Sequence, residues 1–347
     1  MGPIAGTDYP RDYGELRAWF PDDARCLDYL DWLRWGNGFA CPSCGVISPP
    51  LTKPVSGREL RCPECGARVS RTAGTIFQDT RTPLTVWFQA AWLMTTNKSG
   101  LNAKALQRQL GLGSYQTAWA MLHRFRSAMD LSGTDLLTGT VEVDETFYGG
   151  VTPGVSGRLH GNKAIIAVAV ERLPVKGFGR ARLRVINDLS AATMTTFLKA
   201  TVAPGSLIAS DGWRSYPVAV PAAGCSHAPS VQRGNAAAPH DLLPGVHRVA
   251  SLFKRWALGT HQGSIGADHI QSYLNEFAFR FNRRNSRAPG MLFFRLMELA
   301  ATADPLTYRS IVANPAPKAT RPSPPNPSQR SQPRSLNRPT DATPWRR

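Results

Sequence analysis

Hydrophobic positions along this chain change period twice. Residues 13–35 carry apolar and aromatic side chains at mixed spacings of three and four, which predicts one or two short helices. Residues 83–94 predict a helix with Pro83 at its first turn. Residues 101–110 and 115–129 predict a helix pair joined across Gly111-Leu-Gly-Ser114, with Ser114 as the second N-cap. The period then shortens to two: residues 140–150 alternate, 163–171 form a continuous apolar run, 181–186 alternate again, and 206–211 make a short apolar strand. Residues 191–203, behind Ser190 as an N-cap, return to helical spacing. So does a segment starting at His247, and residues 267–284 align Ile270, Tyr273, Leu274, Phe277 and Phe281 on one stripe.

These changes divide the chain into an N-terminal helical segment (1–37), a cysteine-bearing segment (38–75), a helical region (80–131) and an α/β domain (138–300). From 314 to 347 there are nine Pro and seven Lys or Arg against one Asp, too few apolar groups for a core, so a disordered basic tail is expected there. The formal charge of +17 points to polyanionic partners, nucleic acid before an anionic membrane. No run approaches the roughly 18 apolar residues of a membrane span, and the first ten residues do not resemble a signal peptide. A cytoplasmic, nucleoid-associated protein without a membrane partner is expected.

Four of the six cysteines form two CxxC pairs, Cys41/Cys44 and Cys62/Cys65, with 17 residues between them. Two thiolate-bearing turns brought together by an intervening hairpin supply four soft ligands, the set that structural Zn²⁺ prefers. A redox dithiol would need one CxxC beside a βαβ unit, and none is evident. Arg58, Arg61, Arg68 and Arg71 flank the second pair and suggest a nucleic-acid face on this ribbon. In the following helix pair, a helix-turn-helix reading makes Tyr115, Gln116, His123, Arg124 and Arg126 groove or phosphate contacts. The competing reading is a plain helical hairpin.

The order strand, strand, strand, helix, strand, helix after residue 138 carries Asp144 on the first strand and Asp211 at the end of the fourth. This is the order of the RNase H-like fold, in which the fourth strand of a mixed sheet lies beside the first. Alternation puts Glu142 on the face of Asp144 and Glu145 on the opposite one, making Glu142 a bystander acid. Phosphodiester cleavage and transfer use two divalent ions about 4 Å apart, and carboxylates on adjacent strands could hold them.

Several segments together resemble a known family: the two CxxC pairs, Val143-Asp-Glu-Thr-Phe-Tyr-Gly-Gly150, Ser210-Asp-Gly-Trp213, the run 254–263 and the run 273–284. They are similar to the DDE transposases of bacterial insertion sequences that carry an N-terminal zinc ribbon, the ISXO-like group. The resemblance covers roughly residues 20–300. It implies a third metal ligand some 35 residues after the second Asp, with a basic residue seven positions further on. His247 lies 36 positions after Asp211, and Lys254 lies seven after His247. Seven residues at about 100° fall within roughly 20° of two helical turns, so both would project from one helix face. Most relatives use Glu at the third position, and the resemblance implies a DDHK variant here: Asp144, Asp211, His247 and Lys254. An imidazole suits Mn²⁺ better than Mg²⁺. His240 and His261 lack a basic partner at that spacing.

The resemblance implies a transposase that binds its element's terminal repeats and target DNA as duplexes, cleaves and joins strands with two Mg²⁺ or Mn²⁺ ions, and works as a homo-oligomer in a synaptic complex. Arg280, Arg283 and Arg284 suit the C-terminal end of their helix dipole, and the family reading adds contact with the DNA backbone. Two alternatives stand beside it: an inactive transposase-derived DNA-binding protein, and an RNase H-like nuclease or resolvase that cuts without joining.

Overall fold

The computed structural model describes residues 2–36, 38–48, 57–130, 135–149, 163–175, 177–230 and 242–313. The expected tail over 314–347 and the rival His240 lie outside the described residues. Two compact units share the chain, one built from residues up to 129 together with 285–313, the other from 130–284.

The first unit begins with α1 (Tyr13–Trp19) and α2 (Asp23–Trp35), followed by a two-stranded ribbon of β1 (Glu59–Arg61) and β2 (Arg68–Ser70). It continues with α3 (Leu84–Thr96), α4 (Ala103–Leu110) and α5 (Tyr115–Ala128). Asp12, Asp22, Asn102 and Ser114 each accept a backbone N–H three residues on and so start α1, α2, α4 and α5. Such caps contribute about 1 kcal/mol apiece. The Ser114 cap falls where the sequence puts it.

Arg71 corrects the expected arginine face of the ribbon. Only 1% exposed, it donates to Asp28 at 2.6 Å and Asp31 at 2.7 Å, while Arg34 donates to the carbonyls of Arg71 and Ala73. Two acids one helical turn apart on α2 have captured the guanidinium, because a buried charge is tolerated only when paired and hydrogen-bonded. Arg58 pairs with Asp23 at 3.0 Å.

The second unit contains β3 (Thr140–Tyr148), β4 (Ala164–Arg172), β5 (Phe178–Ile186), α6 (Ala191–Thr201), β6 (Leu207–Ser210), α7 (Tyr216–Ala222) and β7 (Ser226–Pro229). It ends with α8 (Pro244–His261) and α9 (Ile270–Asn282). The five strands lie in the order β5-β4-β3-β6-β7. The β5/β4/β3 pairs are antiparallel and the β3/β6/β7 pairs parallel. This is the mixed sheet expected of an RNase H-like domain, with the fourth strand beside the first.

Both sheet faces are covered, which explains why β4 is apolar without alternation. Val141, Val143, Ile165, Ala167 and Ile208 pack under α6 and α7 on one face. Ile166, Val168 and Val170 meet Val246, Val249 and Phe253 of α8, together with the stripe Ile270, Tyr273, Leu274, Phe277 and Phe281 of α9, on the other.

After Arg284 the chain returns to the first unit as α10 (Pro289–Ala300) and α11 (Tyr308–Ala313). The α/β domain therefore ends sixteen residues before the boundary at 300 read from the sequence. The amphipathic pattern of 291–299 says that a face is buried but not against what. Phe293 of α10 meets Phe20, Tyr29, Phe88 and Trp92 at centroid distances of 5.8 to 6.4 Å. Phe293→Ala is expected to cost about 3–5 kcal/mol by cavity formation, measured by urea unfolding of the full chain. A cost below 1 kcal/mol would contradict this packing.

Candidate active site

In the first unit, the two cysteine pairs sit in matching knuckles. Gly45 N donates to Cys41 O at 2.9 Å and Gly66 N to Cys62 O at 3.0 Å, while Cys41 N reaches Val46 O and Cys62 N reaches Ala67 O, each at 2.9 Å. Both glycines take left-handed backbones, φ 74° and 70°, which glycine adopts without steric cost. Among the described residues, β1 and β2 flank Cys62 and Cys65, and the first pair has its own bridge between Ala40 and Ile47; the middle of the segment expected to form an intervening hairpin lies outside the described residues.

All four Sγ atoms lie within 4.8 Å of one another, with Cys41–Cys65 at 3.8 Å and Cys44–Cys62 at 3.7 Å. A tetrahedron of Zn–S bonds of roughly 2.3 Å requires S···S separations of about 3.8 Å, so the cluster fits Zn²⁺.

In the second unit, the acids are arranged by the sheet. Parallel pairing matches Thr140 with Leu207, Val141 with Ile208 and Glu142 with Ala209. Carried two residues beyond its last matched pair, this register would bring Asp144 level with Asp211, which lies just past the end of β6. Each acid is half-buried and holds a local backbone amide: Glu145 N donates to Asp144 and Trp213 N to Asp211, at 2.8 and 2.9 Å. Tyr216, fully buried beneath them, donates its hydroxyl to Glu145 at 2.6 Å. Burial pushes that hydroxyl well above its ordinary pKa, and the charges of Glu145, Asp144 and Asp211 push it further. Ser210, immediately before Asp211, shares a 2.8 Å hydrogen bond with His227 of β7 and accepts Gly212 N at 3.2 Å.

α8 lies over the face that carries Glu142 and Asp144. Its stripe Val246, Val249, Ala250, Phe253 and Ala257 is buried, and His247 and Lys254 project together from one flank of that stripe. His247 is half-buried and Lys254 exposed. Partial desolvation lowers the Lys254 ammonium from its ordinary value, with the neighbouring Lys163 adding to the effect. His261 packs edge-on between Trp256 and Tyr273, each at 4.8 Å, as a core residue at the far end of the helix. Among the described residues, the cysteine set is the one group of three or more His, Cys, Asp or Glu side chains gathered closely enough to share an ion as it stands. Oxygen from two carboxylates with one imidazole nitrogen is nonetheless a donor set suited to Mn²⁺.

The expected DNA contacts divide. Tyr115, 47% exposed, and Gln116 stand open at the start of α5. Arg126 is corrected: at 1% exposure it falls four and eight positions after Leu122 and Ala118, on the face that α5 buries. His123 is likewise buried. Arg124 is half-buried and donates to Ile76 O at 3.3 Å. Arg280 is corrected too, since its guanidinium is bonded at 3.0 Å to Glu276, a fully buried acid one turn earlier. Arg283 and Arg284 stack on Phe279 and Phe281, each at 4.1 Å, and Arg284 also donates to the carbonyls of Phe178 and Gly179.

Comparison with known proteins agrees with this architecture. Residues 136–282 match the ISXO2-like transposase domain, and residues 21–68 match the transposase zinc-ribbon domain. The chain carries an ISXO2-like transposase domain behind a transposase zinc ribbon. An uncharacterized protein in transposable element ISH50 of Halobacterium salinarum is 26% identical over 289 residues, which cover 78% of this chain and 94% of that protein. A pre-cleavage Mos1 transpososome structure covers 65% of this chain and 78% of its own at 12% identity, with a TM-score of 0.26, a likeness too slight to carry an argument.

Elemental analysis of the purified transposase chain is expected to find close to one zinc per chain, and little or none in Cys62→Ser. Zinc retained in full by that variant would remove the four-thiolate site.

Proposed function

We infer that this transposase chain binds the terminal repeats of an insertion sequence and catalyses metal-dependent cleavage of the element end followed by transfer of the freed strand to target DNA. What supports the reading is the β3/β6 register, which, carried two residues further, would level Asp144 with Asp211 on the sheet face that α8, the helix of His247 and Lys254, covers.

Asp144, Asp211 and His247 would hold the ions, and Lys254 would take the phosphate. Bound there, a pair of Mg²⁺ or Mn²⁺ ions would supply activation of the attacking oxygen and stabilisation of the leaving oxygen. Lys254 suits its part because a compact, partly desolvated ammonium attracts a phosphate oxygen more strongly than a fully hydrated one. Strand alternation turns Glu145, which accepts the Tyr216 hydroxyl, to the opposite face, while Asp144 stands on the α8 side beside Glu142.

Recognition of the ends falls to the ribbon and the helix pair α4–α5, with the exposed Tyr115 and Gln116 at the start of α5 as groove contacts and Arg283 and Arg284 as candidate backbone contacts. The surplus of basic residues supplies a salt-sensitive, sequence-independent part of the affinity. Two ends must be held together for transfer, which calls for a homo-oligomer.

The test is nicking of element-end duplex DNA in Mn²⁺, with a second arm offering a precut 3′ end and target DNA. Asp144→Asn is expected to lower nicking by about a hundredfold or more, while end binding, followed by gel shift, stays intact. Equal nicking by wild type and variant would remove the catalytic claim. Cutting without any joined product would reassign the chain as a nuclease.

A further inference from the structure

The first turn of α8 has no cap of its own. Leu243 occupies the N-cap position without a side-chain hydrogen bond, and Pro244 at N1 has no N–H to offer. His247 N reaches Leu243 O at 3.3 Å. The two amides between them are met from another element: Gly245 N and Val246 N donate to Glu142 Oε2 of β3, at 2.7 and 3.2 Å, across 103 and 104 residues of chain.

Glu142 is fully buried. Its other oxygen accepts Nε and Nη2 of Arg172, at 3.0 and 2.7 Å, from the end of β4. Four donors thus saturate both oxygens and a cation balances the charge, the condition under which a carboxylate is tolerated inside a protein. The helix's positive end also favours a negative charge there.

Gly245 makes the approach possible. A Cβ at this position would stand 2.8 Å from Glu142 Oε2 and 2.8 Å from the Phe178 ring, so a side chain here would force the helix end, the carboxylate or the ring to shift.

We propose that Glu142 is the positioning residue of the candidate active site, an inter-element cap that fixes the start of α8 against β3 and thereby sets His247 opposite Asp144. The geometry is economical: Glu142 lies two residues before Asp144 on the same strand face, and the amides it holds lie one and two residues before His247. One carboxylate indexes both partners over the shortest available path. A helix end held only by its apolar stripe could slide along the sheet with little change in buried area, because burial is not directional; hydrogen bonds to two specific amides remove that freedom. The inference rests on the catalytic reading of His247 proposed above.

The experiment compares Glu142→Ala, Glu142→Gln and Gly245→Ala with wild type in the full-length, zinc-loaded chain. Amide hydrogen exchange reads the first turn of α8, calorimetry reads Mn²⁺ affinity, and nicking of element-end DNA is followed against Mn²⁺ concentration. Glu142→Ala is expected to expose the Gly245 and Val246 amides to exchange while β4 and α9 stay protected. It should also weaken Mn²⁺ binding and raise the Mn²⁺ needed for half-maximal nicking, by roughly 10–100-fold as for other groups that orient a metal ligand. Gly245→Ala, which leaves the carboxylate in place, is expected to reproduce both effects, and Glu142→Gln, which keeps one acceptor for the amides, to recover part of each.

Unchanged exchange at Gly245 and Val246 in Glu142→Ala would overturn the cap. Local exposure with an unaltered Mn²⁺ requirement would overturn the positioning role. Exposure throughout the unit in all three variants would reduce Glu142 to a stability residue. A wild-type chain that binds no Mn²⁺ at this site and cuts nothing would sink the catalytic reading and the positioning role with it, while the exchange data would still report the cap separately.

Discussion

Everything that gives the second unit its chemistry depends on one pairing, the short parallel ladder between β3 and β6. Three matched residue pairs fix the register, and because side chains on a strand alternate with a period of exactly two, a slip of one residue would turn Asp144 into the α6/α7 layer and bring Glu145 out in its place. The ladder is safe from slipping because both faces are committed. Val141, Val143 and Ile208 are buried under α6 and α7, while Asp144 pairs across β4 with Val168 of the α8/α9 core. Hydrophobic burial on two sides therefore fixes where two half-buried charges stand.

The chain separates its soft and hard donors between its two units. The ribbon collects four thiolates in knuckles whose geometry is local, each CxxCG turn closing on its own backbone. The α/β unit offers oxygens and an imidazole from three elements far apart in sequence. A closed set of four sulfurs has no position left for substrate, which suits a structural metal; an incomplete set of oxygens and one nitrogen leaves positions for water and phosphate, as catalysis requires.

Charge is handled in the same divided manner. Of the arginines that a basic composition makes look like DNA contacts, several are engaged by acids of the protein itself. Arg71 is held by Asp28 and Asp31, Arg280 by Glu276, Arg172 by Glu142 and Arg180 by Glu171. Net charge describes the field felt at a distance; it does not say which cations remain at the surface, since a buried acid can claim a partner from any nearby element.

The sequence by itself determined what is local or periodic. The cysteine knuckles, the Ser114 and Ser190 caps, the alternation of β3, the unbroken run of β4 and the stripe of α9 each follow from spacing along a few turns or a single strand. Even the shared face of Glu142 and Asp144, and of His247 and Lys254, was legible, because strand and helix periods are fixed by backbone geometry. Only the tertiary structure decided what meets across long separations: that Glu142 caps α8 instead of standing by, that Arg126 and Arg280 turn inward, that Tyr216 reaches Glu145, and that residues 285–313 rejoin the first unit. An amphipathic pattern records that a surface must be buried, yet hydrophobic attraction has no address. The partner is chosen by the whole packing, and no window of neighbouring residues contains that choice.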